Sequence, residues 1–156
     1  GSGSSVNMTH LQAKTVKIIR DGVVEPDQTV PAAPFTVTFA RAATSSHQVG
    51  LPYDITMRTM PAEPALPQGT VQGVKKRIVQ VDAVVVDTQN MSINDKLVPF
   101  RNFGVSVLGD PVQEFTGTKT VHGLLGFSTT GQITITQSAP LKMTLLGLEY
   151  RMSVGN

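Results

Sequence analysis

Residues 78–86, IVQVDAVVV, constrain the fold of this chain more than any other segment. Most of these residues are β-branched. Branching stiffens χ1, lowers helix propensity and suits a pleated surface. As a helix the run would give no clean 3.6-residue apolar stripe. As a strand, Val79, Val81, Ala83 and Val85 share one face, opposite Ile78, Gln80, Asp82, Val84 and Val86. The second face is mixed, so partial burial on both sides is expected. Asp82 and Asp87 fall on opposite faces.

The same period of two recurs in Phe35-Thr36-Val37-Thr38-Phe39 and in Ile133-Thr134-Ile135-Thr136. Turn signals separate such runs at short intervals. Asp21-Gly22 lies between Thr15-Val16-Lys17-Ile18-Ile19-Arg20 and Val23-Val24, the strongest short-range hairpin signal in the chain. Gly109-Asp110-Pro111 ends one strand, Thr130-Gly131 opens another, and Ser138-Ala139-Pro140 precedes the last. Prolines 61, 64 and 67 make residues 60–69 an irregular or polyproline-like loop. The closing stretch LKMTLLGLEYRM is apolar on both faces, as in a strand covered on both sides or lying against a neighbouring subunit. The reading is all-β: roughly nine to eleven strands in an antiparallel β-sandwich or partly closed barrel, with no substantial helix. Phe35, Val37, Phe39, Val79, Val81, Ile133 and Ile135 are expected to share one buried core.

The opening GSGSS, residues 1–5, reads as a linker, and a chain that starts on one is expected to be part of something longer. Residues 6–50 are expected to form an N-terminal β-hairpin subunit. Residues 51–156 would form the main sandwich or barrel, packed with 6–50 as one domain. Within this scheme 87–110 reads as a variable loop region.

A length of 156 residues allows a hydrophobic core without staples. There is no cysteine, so disulfides, zinc-thiolate sites and thiol nucleophiles are excluded. No apolar run approaches the roughly 20 residues of a helical membrane span, and the start has no signal-peptide core. Thirteen basic against eleven acidic residues leave a charge of +2. The single basic cluster, Lys75-Lys76-Arg77, sits at the start of a strand, where such residues are solvated or guard an edge. Specific nucleic-acid binding is therefore not expected.

Chemistry-bearing patterns are sparse. His10, His47 and His122 lie far apart and match no metal motif, so none is assigned as a ligand and no cofactor is expected. GVSVLG lacks the spacing and the strand-to-helix setting of a nucleophile elbow. HGLLGF matches neither phosphate-loop pattern. Glu25, Asp27, Asp54, Glu63, Asp110 and Glu114 sit in or near loops and read as turn-forming or solvating charges. A glycosidase pair among them would need a separation of roughly 5–10 Å. The chain is read as a non-enzyme.

Three ordered blocks carry a family resemblance. The first is HLQAKTVKIIRDGVVEPDQTV, residues 10–30. The second joins HQVGLPYDITMRTMP, with its Gly50-Leu51-Pro52-Tyr53 corner between two β units, to TVQGVKKRIVQV. The third is PVQEFTGTKTVHGLLGFSTTGQITITQSAPLKMTLLGLEYRM, residues 111–152. In that order they resemble the tail tube (nozzle) proteins of short-tailed bacteriophages, specifically a β-rich part toward the C-terminus. The resemblance implies a structural domain of a longer, ring-forming protein, with a ring of six, that helps form the genome-ejection channel. It implies neighbouring tail proteins as partners, passage of DNA without specific binding, no membrane insertion, and a place in the virion after assembly in the bacterial cytoplasm. The alternative is a non-catalytic β-sandwich that recognises a host-surface carbohydrate. No tryptophan and only two tyrosines count against that alternative.

Overall fold

The structure is a computed structural model and describes residues 3–65, 67, 69–102, 104, 109–124 and 126–155. Most of GVSVLG (Val105–Leu108), Leu125 of HGLLGF, and Leu66 and Gln68 of the proline loop lie outside the described residues. The chain is all-β. Among the described residues there are twelve strands and one three-residue 3-10 turn, Thr9–Leu11, and no helix is long and apolar enough to cross a membrane. Among the described residues every strand pairing is antiparallel and no sheet is closed.

Two compact units divide the chain. Unit 1 takes residues 1–54, 101–113 and 138–141, and unit 2 takes 55–100, 114–137 and 142–156. The chain leaves unit 1 just after the Gly50-Leu51-Pro52-Tyr53 corner, where a fixed proline φ and a missing N–H end strand pairing.

Unit 1 has two small sheets. One pairs β1 (Gly3–Asn7) with β4 (Thr36–Ala43), so Gly3 to Ser5 of the opening linker are part of a strand. The other runs β3 (Val23–Thr29), β2 (Thr15–Arg20), β5 (His47–Gly50). The β2–β3 connection is the Asp21-Gly22 turn, with φ of 48° and 80°. Positive φ at both positions is what a type I′ hairpin requires. A Cβ at Gly22 would also stand 2.9 Å from Pro111, so glycine is needed there twice over. Val16 and Ile18 of β2, Val37, Phe39 and Ala43 of β4, and Met8 and Val30 form a buried cluster.

Unit 2 is organised by β7 (Lys76–Thr88), hydrogen-bonded on one side to β10 (Phe115–His122) and on the other to β12 (Leu145–Val154). A second sheet has the order β6 (Ile55–Arg58), β11 (Thr134–Gln137), β8 (Ser92–Ile93), β9 (Lys96–Leu97). Both sheets supply buried side chains, including Val81, Ala83, Val85, Val121, Ile93 and Ile135.

Three expectations need correction. The proposed single core is two: Val37 and Phe39 are buried in unit 1, with Phe35 partly buried beside them, while Val81, Ile133 and Ile135 are buried in unit 2. Val79 is not a core residue. On β12, Met152 pairs with Ile78 and Arg151 with Gln80, which leaves Val79 unpaired in a bulge. The extra residue shifts the strand's phase, so Ile78 turns inward and Val79 is 38% exposed. Finally, residues 87–110 are not all loop. Asn94-Asp95, with φ of 46° and 63°, close a short β8–β9 hairpin. This is the same turn chemistry as at Asp21-Gly22, in a less conspicuous pair of residues.

The bulge makes a pair of substitutions diagnostic. Ile135→Ala should lower stability by about 2–5 kcal/mol, as for a well-packed core aliphatic. Val79→Ala should stay within about 0.5 kcal/mol, as for a surface position. Equal losses in urea melts would mean that β7 alternates without interruption.

Candidate functional site

A cleft of about 550 Å³ opens in unit 2 beside the start of β7. Backbone bonds tie the floor together. Lys76 N donates to Ser128 O at 2.7 Å, and Ser128 N donates back to Lys76 O at 2.8 Å. The turn after Ser128 is closed by Gly131 N, which donates to Ser128 Oγ at 2.8 Å. Gly131 adopts φ +58°, and a Cβ there would stand 3.3 Å from both Lys76 Cδ and Met152 Sδ. Glycine thus permits the turn and also the close approach of the lysine stem.

Lys76 is the unexpected member. The sequence makes it, with Lys75 and Arg77, a solvated or edge-guarding cluster, but Lys76 is only 1% exposed. The Val79 bulge brings Lys76 and Ile78 into phase with Val81, so both turn inward. Its Nζ donates to Thr129 O at 2.9 Å, and no carboxylate pairs with it among the described residues. Arg77 places its guanidinium 6.0 Å from the ring centre of Phe127, and its Nε is buried without a partner among the described residues. Phe127 itself is 57% exposed on the cleft wall.

The opposite wall comes from the second sheet. Arg58 of β6 stands opposite Thr134 of β11, and Asn94 brackets Thr134 by accepting from its N–H at Oδ1 (2.7 Å) and donating N–H to its carbonyl (2.8 Å). Gln132 directs its amide N–H₂ to Thr59 O at 2.9 Å, leaving its carbonyl oxygen as an acceptor. Among the described residues Asp95 is the one carboxylate on the lining, against the cations Arg58 and Lys76. No sequence motif marked this site, because its cation is hidden by a bulge and its walls come from separate strands.

The residues considered from sequence are dispersed. His10 lies in the 3-10 turn, His47 starts β5 with its ring 5.1 Å from that of Phe39, and His122 ends β10. Glu25 is buried in β3, where it accepts from Arg20 Nε at 2.6 Å and from Ala40 N at 3.0 Å. Asp27 pairs with Lys17 and Glu114 with Lys142. Glu63 accepts from Gln72, and Asp54 and Asp110 are exposed. Among the described residues no three His, Asp or Glu side chains gather to hold a metal ion.

Two other carboxylates are held by dense hydrogen bonding. Asp82, on the outward side of β7, is kept below the usual carboxylate range by the hydroxyl of Thr120 and then the amide of Gln80. Asp21 receives the N–H groups of Thr44, Ser45 and Ser46 at 2.8–2.9 Å and the hydroxyls of Thr44 and Ser45. The Thr44 amide, then those of Ser46 and Ser45, hold its carboxyl far below the ordinary value, against a small opposing effect of burial. This is a fastening of the 44–46 turn.

A comparison with protein-family models finds no match, and neither does a comparison with curated proteins.

The Asp21 cluster makes stability pH-dependent with a definite sign. The folded-state value lies below the unfolded one of about 3.9, so the contribution is complete above about pH 5 and is lost as pH falls below about 4. Asp21→Asn should therefore lower the melting temperature at neutral pH and make the acid-side decline shallower than in the parent. Parallel acid limbs in melts from pH 7 to 2 would refute a role for this carboxylate.

Proposed function

We propose that this chain is a structural β domain of a ring-forming tail tube (nozzle) protein of short-tailed bacteriophages. In that role it helps build the genome-ejection channel and contacts neighbouring tail proteins in the virion. The family comes from the ordered sequence resemblance. The structural observation that supports it is strand β12. This ten-residue strand is the edge of the β10-β7-β12 sheet, and none of its residues is fully buried. Leu146 is 66% and Tyr150 46% exposed. Of the two readings of this doubly apolar strand, full cover on both sides is not seen among the described residues, and a place against a neighbouring subunit is the one this proposal takes up.

A long edge with unpaired backbone groups and exposed apolar side chains is a ready template for another chain. A groove of about 680 Å³ runs beside it, between Tyr150, Met152 and Val154 and the proline-punctuated segment 59–64. Met60, on its rim, is 83% exposed. The work of such a domain is shape and contact, carried by rigid sheets. The basic run makes no exposed patch, since its middle lysine is internal. That suits a wall along which DNA passes without being gripped.

On this reading the isolated chain is a monomer or weak oligomer, and the longer protein that carries it forms a closed ring of six. Leu146→Lys with Tyr150→Lys, both at exposed positions, should prevent ring closure while leaving the melting temperature of the isolated chain within a few degrees. Sedimentation and electron microscopy read the assembly. A longer protein that stays monomeric at high concentration and in the particle refutes the tube assignment. A ring that closes despite both lysines removes β12 as the contact.

A further inference from the structure

We propose that the cleft between Lys76, Arg58 and Phe127 binds a carboxylate-bearing sugar ring. Its volume of about 550 Å³ falls within the roughly 300–1,000 Å³ of small-molecule sites. The argument starts from charge. Lys76 is internal, has three donors and one acceptor, and lacks a carboxylate partner among the described residues. A buried charge is retained at a cost unless something pairs with it. The guanidinium of Arg58, an exposed residue on the lining, has no hydrogen bond or ion pair among the described residues. Among them Asp95 is the single acid on the lining, which leaves the cleft one positive charge in excess.

Three features select the kind of anion. Phe127 offers an exposed ring face, steadied by Arg77 from one side and suited to the C–H face of a pyranose. Ser128, whose Oγ accepts from Gly131 N, still has an O–H to give, and Asn94 retains its amide N–H₂ because Oδ1 is engaged by Thr134. Gln132 presents a carbonyl oxygen, since its amide N–H₂ is spent on Thr59 O. That acceptor, together with Asp95, receives sugar hydroxyls and repels a dianion. An inorganic phosphate would use the cations, waste the ring face and meet both acceptors unfavourably. A monoanionic sugar uses all of them. This inference is independent of the assembly role proposed above, because the cleft and β12's exposed edge are separate features and each can fail alone.

The test is a titration of the purified chain with D-glucuronate, followed by amide NMR shifts and calorimetry, with D-glucose and inorganic phosphate as comparisons. Glucuronate should bind in about the millimolar range and shift the amides of Asn94, Ser128 and Thr134. Glucose and phosphate should each bind at least about tenfold more weakly. Arg58→Gln and Phe127→Ala, both at exposed positions, should each weaken glucuronate by about tenfold with unchanged melting temperature, and Arg58→Gln should leave glucose unaffected. The proposal is overturned if those amides do not move, if phosphate binds as tightly as glucuronate, or if Arg58→Gln leaves the affinity unchanged.

Discussion

Strand β7 is hydrogen-bonded on both edges for most of its thirteen residues, and unit 2 is arranged by it. A central strand cannot shift register without breaking two ladders and moving every inward side chain to the other face. Register is nevertheless reset by extra residues on β7 itself at two places. At Val79 one residue is left out of the β12 ladder, and near Asp87, where φ is 44°, the ladder to β10 skips from Gly117 opposite Val85 to Phe115 opposite Thr88. The inward set is therefore Lys76 and Ile78, then Val81, Ala83 and Val85, then Thr88. Thr88 is polar but satisfied: its single O–H has the carbonyl oxygens of Val86 and Thr144 within reach, and its oxygen accepts from Thr144 N.

The first of those bulges has a consequence for chemistry. Had β7 alternated without a break in phase with Val81, Lys76 would face outward with Val84 and the rest of that side. The extra residue carries an ammonium into a setting where one backbone carbonyl is its acceptor. Replacing an internal ion by a hydrophobe of similar volume is often neutral or favourable. A lysine kept there is accordingly more readily understood through what it faces than through what it adds to folding, and what it faces is a cleft with a second unpaired cation on its lining.

Much of the fold was legible in the sequence because period two, β-branching and Asp-Gly are local signals. The strands around Thr36–Phe39, Ile78–Val86 and Thr134–Gln137, the β2–β3 hairpin and the irregular proline loop all follow from neighbours along the chain. What could not be read is where locality fails. Nothing in IVQVDAVVV distinguishes a bulged strand from an unbroken one, because the bulge exists only against β12, some seventy residues on. The same holds for the division into two interiors, since an apolar alternation says that a face is buried and not against which partner. The cleft was invisible for a related reason: Arg58, Lys76, Asn94 and Phe127 come from four segments, and none belongs to a motif. The β8–β9 hairpin was missed for a different reason, as Asn94-Asp95 adopts positive φ without the glycine that usually announces it.

β12 poses the opposite problem, since an exposed apolar edge invites indiscriminate pairing. Two features restrain it. The ladder to β7 breaks register twice along this strand, between Arg151 and Met152 and between Leu145 and Gly147, and at the latter Leu146 is an extra residue on β12 itself, which bends the edge away from the straight geometry that a passing β-segment would need. Between them lie Glu149 and Arg151, opposite charges two residues apart and both exposed. A partner must match a bent edge and place complementary charges near those two positions, while its apolar groups reach Leu146 and Tyr150. Such an edge resists a generic strand and accepts one of defined shape, as the ring contact proposed above would require.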